Sequence, residues 1–359
     1  MTASAYDVLI VGGGPSGAVC AAHCAAGGLK TLALERAVFP RHKVCGDCLN
    51  PAVWPIFRRL DLVDRVLALP HSRLTAVDFI GADGSRINVP LPKSREDEAD
   101  LRIEIAVARS HLDHLLLERA RECGAVVLHS GPVTRIAAND TPIRWEVEAG
   151  GEIFSAKWLI AADGRNSTVA RLRDLLPPQR RNRVGLQIHT PLPPDLAGRV
   201  VMRFLPCGYA GLADVGQGRA NLCLVARPEN LNAIRAWAQQ HFALIDPDWS
   251  SVTPLDRAPI WPSGEKLLLV GDAARVVEPF TGEGIYYAMA SGELAAKLLL
   301  SGQTASYPKA HRDLYRGRLW INLLAKQACL QPRFAASILG LARMFPPLLR
   351  LLTRKIVGG

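Results

Sequence analysis

The run Gly12-Gly13-Gly14-Pro15-Ser16-Gly17 constrains this chain more than any other feature, because of what stands on either side of it. Residues 6–11, Tyr-Asp-Val-Leu-Ile-Val, predict a buried parallel strand, and Ala18 to Ala26 has the composition of a helix. Gly12, Gly14 and Gly17 fit the spacing G-x-G-x-x-G. The first permits a tight turn, the second lets backbone approach a pyrophosphate, and the third lets helix pack on strand. The helix N-terminus, with Ser16 in the loop, turns free N–H groups and a positive dipole end toward phosphates.

Leu29 to Leu34 reads as the second strand, and Glu35 closes it, 18 residues beyond Gly17. A carboxylate there accepts both ribose hydroxyls of an adenosine and repels a 2′-phosphate. Strand, turn, helix, strand and acid in this order define an adenine-dinucleotide cradle. Arg36, next in line, either faces the cofactor or is a solvated strand-end charge. NAD and FAD share this cradle, so downstream residues decide between them.

Two later segments decide it. Trp158-Leu-Ile-Ala-Ala-Asp163-Gly164-Arg165 ends a strand in an Asp-Gly turn. Leu267-Leu-Leu-Val-Gly271-Asp272-Ala-Ala ends another in Gly-Asp, followed by Pro279 and Gly282-Glu283-Gly284-Ile285. Each delivers a carboxylate at the C-terminal edge of a buried strand, where open α/β sheets bind ligands.

With these motifs in place, the chain resembles the p-hydroxybenzoate hydroxylase-like superfamily of FAD-dependent oxidoreductases over roughly residues 5–300. Within it, the chain is similar to the geranylgeranyl reductase family. The resemblance implies FAD as cofactor and an α/β fold: a Rossmann-like FAD-binding domain (glutathione reductase type 2), an inserted antiparallel substrate sheet and a C-terminal helical region. It implies that Asp272 binds the ribityl chain. Pro279, Gly282, Gly284 and Ile285 open a helix aimed at the pyrimidine end of the flavin ring, where charge gathers on reduction. Arg109, in Ala108-Arg109-Ser110-His111-Leu112-Asp113, matches an arginine that opens a helix beside FAD. Asp163 shapes a turn near the cofactor and, in the hydroxylases, is tied to FAD and nicotinamide binding.

The branch is suggested by Pro40-Arg-His-Lys43-Val-Cys45-Gly46-Asp47-Cys48, whose pattern Pro-x-x-Lys-x-Cys-Gly-Asp is similar to that of geranylgeranyl and menaquinone reductases and also occurs in related hydroxylases. Ser291-Gly292-Glu293 also has the reductase form. The resemblance places Cys45 and Gly46 at the flavin face. Cys45 is the one catalytic candidate, with a structural role and a dithiol with Cys48 as its alternatives. Two departures stand out: reductases commonly carry Gly where Cys48 stands, and Phe204-Leu-Pro-Cys-Gly208-Tyr209 lacks the tryptophan common over their substrate. A pocket for something other than a long isoprenoid chain therefore stays open.

Several chemistries have no starting residue. Cys45 and Cys48 lack a second ligand pair, so no metal is expected. The seven tryptophans include no Trp-x-Trp, and no lysine lies between Lys43 and Lys93, which argues against halogenation. No serine elbow, P-loop or H-E-x-x-H occurs.

The FAD-binding domain is expected from 1–70, 101–175 and 262–310, and the substrate domain from 71–100 and 176–261, with a helix over 230–242 covering its sheet. A second G-x-G-x-x-G is lacking, so electrons are expected from NAD(P)H docking transiently or from a reduced protein carrier. Of the net charge of +10, +8 falls in residues 311–359, which carry nine Lys or Arg against Asp313. The body is nearly neutral, which argues against nucleic acid as a partner. Apolar segments Leu319 to Ala325, Phe334 to Met344 and Leu348 to Leu352 alternate with these charges. They predict either an interfacial helix on an anionic membrane or a helical cap on the substrate domain. No signal-like run precedes residue 6, so the expected location is the cytoplasm, with the inner membrane face as the peripheral alternative.

Two reactions fit a hydrophobic small-molecule substrate. One is saturation of a carbon–carbon double bond. The other is hydroxylation, in which reduced flavin traps dioxygen and passes OH to an electron-rich ring or alkene. A non-catalytic flavin redox sensor is the third reading.

Overall fold

Tyr6–Val11 forms the centre of an eight-stranded sheet, parallel to Thr31–Glu35 on one side and to Glu152–Ala161 on the other. The computed structural model describes residues 5–91, 101, 103–139, 144–178 and 183–317, with positions 320, 323, 324, 326 and 327. From Val8 to Ile10 the strand is wholly buried, as its continuous apolar run requires when both faces are covered. Val126–His129 extends the sheet beyond Thr31–Glu35, and Leu267–Leu269 extends it beyond Glu152–Ala161. Its strands reverse order around Tyr6–Val11, which opens a crevice at the C-terminal end of that strand.

One face packs on three helices: Pro15–Ala26, Arg109–Glu122 and Gly284–Leu300. The first and third approach closely enough that a Cβ on Gly292 would overlap the Ser16 carbonyl oxygen. The other face is covered by Trp145, Phe154 and the short helix Thr168–Leu172.

A second sheet of seven strands runs Ser250–Val252, Val184–Pro191, Arg219–Ala226, Gly208–Gly216, Arg199–Leu205, Ala76–Ile80, Arg86–Pro90. It is antiparallel apart from one seam, where Arg199–Leu205 runs parallel to Ala76–Ile80. The expected antiparallel insert is present, and at that seam the two strands come from distant stretches of chain, so no hairpin turn dictates their direction. Helix Leu231–Phe242 seals one face by seating Ile234 and Ala238 against Leu222 and Leu224.

A third sheet joins the two bodies. Glu104–Val107 pairs antiparallel with Cys48–Leu49 and with His71–Leu74. Strand alternation splits its side chains between two cores. Leu49, Ile105 and Val107 enter the helix-covered core, whereas Cys48, Ala106 and Leu74 face Val200, Met202 and Tyr209 of the seven-stranded sheet.

Beyond residue 310, helix Tyr307–Leu314 docks on Gly284–Leu300. The Tyr307 hydroxyl donates to the Leu269 carbonyl at 2.9 Å, and Tyr315 stacks on Tyr287. This stretch therefore packs on the dinucleotide-binding body, and Lys326 pairs with Asp256. Phe334 to Met344 and Leu348 to Leu352 lie outside the described residues. Among the described residues, no helix is long and apolar enough to cross a membrane.

Candidate active site

The glycine loop turns the chain from Val11 into the helix at Pro15 under tight steric limits. Gly12 has φ +105°, and a Cβ there would lie 2.6 Å from the Ala162 carbonyl oxygen; one on Gly17 would overlap the Gly12 carbonyl. Gly14 is different. A Cβ added to it points into the cleft, with Arg41 Nη2, at 3.6 Å, its one neighbour within 4 Å. The loop is thus closed behind and open in front, which is the shape a pyrophosphate needs beside a helix N-terminus. Glu35 is buried beside this loop: Oε2 accepts from the Gly13 amide at 2.7 Å and Oε1 from the Ala37 amide at 2.9 Å. Arg36 is exposed at the strand end and does not line the cleft.

Arg109 opens its helix, and its buried guanidinium meets the fully buried Asp113 carboxylate twice, at 2.7 Å each. Arg41 reaches the same carboxylate at 3.3 Å. Lys43 lines the cleft wall, where partial removal from water and the Arg109 and Arg41 charges hold its ammonium below the usual lysine range. Three cations gathered around one internal anion leave positive charge on the cleft wall, which favours a phosphate-bearing ligand.

Across the cleft, Asp272 Oδ2 accepts from Arg165 at 3.0 Å. Gly271 takes φ +57°, and its amide donates to Ser291 Oγ at 2.8 Å. Gly282 is left-handed at φ +68°, after which Gly284 and Ile285 begin a 17-residue helix whose N-terminus, with Pro279, opens on the cleft. Asp163 is turned elsewhere. Its Oδ1 accepts from Ser167 Oγ at 2.6 Å and its Oδ2 from the Val169 amide at 3.0 Å, so it caps Thr168–Leu172, while Gly164 and Arg165 line the cleft.

Residues 45–48 cross the cleft floor on side chains from the seven-stranded sheet. The Cys45 amide donates to Gln187 Oε1 at 3.2 Å, and Asn221 Nδ2 donates to the Cys45 carbonyl at 2.7 Å. Asp47, fully buried at φ +59°, is the anchor: Oδ2 meets His189 Nε2 and Asn221 Nδ2, both at 2.8 Å, and Oδ1 accepts from the Arg109 amide at 3.3 Å. Burial pushes the Cys45 thiol up, against the pull of Arg109. Cys48 is pushed up further, and its thiol donates to the Gly46 carbonyl at 3.3 Å. The seven cysteines among the described residues are all free.

Beyond Cys48 the cleft continues into an apolar cavity under the seven-stranded sheet. Val77, Phe79, Val200, Met202 and Tyr209 line it, with Phe280 on its floor against Phe79, Phe204 and Tyr209. One space thus joins a polar cradle to a hydrophobic chamber. Asp47 and Ser291 stand in the motifs without an assigned role, and Glu104 lies outside them. Glu104 left a signal even so: one acid in Ile103-Glu104-Ile105-Ala106-Val107, a run otherwise apolar.

The residues present fit FAD. The open face of Gly14 and the Asp272 carboxylate line a single cleft, and the buried Glu35 carboxylate is held beside the glycine loop by the Gly13 amide. Fold and site together define a dinucleotide-binding flavoenzyme. Residues 5–185 match the FAD binding domain family. The chain is 31% identical to the menaquinone reductase of Mycobacterium tuberculosis over 354 residues, 89% of this chain and 79% of that one. It is 29% identical to the geranylgeranyl diphosphate reductase of Rhodobacter capsulatus, over 82% of this chain and 75% of the relative. The flavin-dependent brominase Bmp2 shares the fold, with a TM-score of 0.80 at 21% identity over 99% of this chain and 94% of that one. The chain belongs to the geranylgeranyl reductase family of FAD-dependent oxidoreductases.

Proposed function

We propose that this enzyme saturates a carbon–carbon double bond in a hydrophobic, lipid-like molecule. The observation that carries the reading is the continuity of the cofactor cleft with the apolar cavity between Cys48 and Tyr209. A cavity walled by Val, Met and Phe takes a hydrocarbon by displacing water, at about 25 cal/mol per Å² of apolar surface covered. The relatives named menaquinone reductase and geranylgeranyl diphosphate reductase act, by those names, on molecules of this kind.

Bound FAD, once reduced, supplies the two electrons that such a reduction needs. Gly12, Gly14 and Gly17 shape the cradle for its pyrophosphate, with Ser16 at the helix N-terminus. Glu35 and Asp272 serve as carboxylate acceptors for the adenosine ribose and the ribityl chain. The helix beginning at Gly284 would offer its positive end to the flavin, and Cys45 and Gly46 would line the floor of its site. Phe280 and the cavity wall exclude water from the alkene. Electrons arrive from NAD(P)H or a reduced protein carrier docking at the mouth. The basic region 311–359 holds the protein at an anionic membrane surface on the cytoplasmic side, where a lipid substrate resides.

The test is steady-state turnover with a polyprenyl substrate and an electron donor in an oxygen-electrode cell. Product heavier by two hydrogens, formed without substrate-linked oxygen uptake, supports reduction. Oxygen consumed in step with a hydroxylated product contradicts it.

A further inference from the structure

Glu104 stands where an acid is least expected. It shares a strand face with Ala106, which pairs with Cys48, and its own partner in the register is Leu74. That face looks into the apolar cavity. Two residues of strand separate Glu104 from the level of Cys48, about 7 Å. A Cβ on Gly282 would lie 4.0 Å from Cys48 Cβ, and Gly282, Cys48 and Glu104 all line the same space. Glu104 Oε2 is screened from solvent and has no hydrogen-bond partner among the described residues.

A carboxylate left unpaired in such surroundings is expensive, and the group answers by keeping its proton. Burial alone raises the Glu104 carboxyl to about 7. The titratable groups that share the cavity are Cys48 beside it, Cys45, Cys223 and Tyr209 along the wall, Lys43 and Arg109 toward the cofactor end, and the mutually paired Arg165 and Asp272. Arg109 and its Asp113 partner are engaged with each other, so neither neutralises Glu104.

We propose that Glu104 is the proton donor of the reduction, a catalytic residue whose carboxyl protonates one carbon of the substrate double bond. This rests on the reductase reading above. In the step, the π bond breaks, one carbon gains a hydrogen with two electrons from the reduced cofactor, and the other gains a proton as the Glu104 O–H bond breaks. The resulting carboxylate takes a proton back from water when the product leaves.

The experiment compares wild type, Glu104→Gln and Glu104→Asp, each loaded with FAD, reduced anaerobically and mixed with geranylgeranyl diphosphate or menaquinone in single turnovers. Infrared difference spectra are recorded on the same proteins without substrate. Expected is a protonated-carboxyl band that titrates near pH 7 in wild type and is missing from Glu104→Gln. The wild-type rate should fall as pH rises through about 7, because only the protonated acid can donate. Glu104→Gln should turn over at least about 100-fold more slowly at low pH with substrate affinity near wild type, as loss of a general acid requires. Glu104→Asp should recover part of the rate. A Glu104→Gln protein with wild-type rate and pH profile, or one altered in affinity alone, overturns the assignment and leaves the reductase reading intact. A wild type that shows the band yet oxidises with neither substrate overturns the reductase reading, and donation to an alkene with it.

Discussion

Both oxygens of the Asp113 carboxylate accept from the Arg109 guanidinium, Oδ1 from Nε and Oδ2 from Nη2, each at 2.7 Å. The two residues are one helical turn apart, so the helix itself presents the pair in register. Asp113 is fully buried and also serves Arg41. Replacing Asp113 with Asn strands two cations in the interior. Removing one partner of a buried pair costs about 3–5 kcal/mol. Urea unfolding should show a loss of that order in Asp113→Asn, with weakened FAD binding because Arg109 loses its fixed orientation. A midpoint equal to wild type would show that the pair does not hold this wall.

The cradle makes a second prediction. Gly14→Val fills the open face of the loop, and the purified variant should be colourless where wild type is yellow and releases FAD. Glu35→Gln keeps the shape but loses a charged acceptor for the ribose, at a cost of about 1.5–3 kcal/mol. Its FAD dissociation constant should rise roughly tenfold or more, read by fluorescence titration. Full occupancy in Gly14→Val would displace the pyrophosphate from this loop.

Cys45 carries the third. Its thiol is pushed up by burial, so it stays protonated at neutral pH and should react slowly with iodoacetamide. Cys45→Ser should lower turnover while leaving FAD content intact, and Cys48→Ala should be milder. A protein two mass units lighter when oxidised, restored by dithiothreitol, would make the pair a working dithiol.

How far the sequence could be read depended on the range of the interactions involved. Strand, loop, helix and Glu35 lie within thirty residues, and local sterics dictate their arrangement. Arg109 at the head of its helix was legible through the family resemblance. Asp163 was not, because whether an acid after a strand faces a ligand or caps the next helix depends on Ser167 and on the turn at Gly164. The roles of Asp47, which stands in a motif, and of Glu104, the one acid in an apolar run, were hidden for a different reason. Their partners and surroundings come from residues far along the chain, such as His189, Asn221 and Met202, and no spacing rule reports such a meeting. The parallel seam between Arg199–Leu205 and Ala76–Ile80 belongs to the same class.

The charge of the C-terminal region yields the fourth prediction. Residues 311–359 carry nine Lys or Arg against one acid. Basic residues near an anionic leaflet contribute about 1 kcal/mol each, and salt screens them. The protein should therefore sediment with anionic liposomes at low salt, less at high salt and little with neutral ones. Changing Arg343, Arg350, Arg354 and Lys355 to Gln should weaken that pelleting. Equal, negligible pelleting under every condition would leave this region as a cap on the folded body.

A flavin that reduces a hydrophobic alkene directly, through one continuous space, is reoxidised by that alkene alone. The most direct measurement is the flavin absorbance of the reduced protein in a sealed, oxygen-free cell as geranylgeranyl diphosphate or menaquinone is added. The oxidised spectrum should return in proportion to the double bonds reduced, with no oxygen present. A flavin that stays reduced with both substrates and turns yellow only when air is admitted would contradict the account.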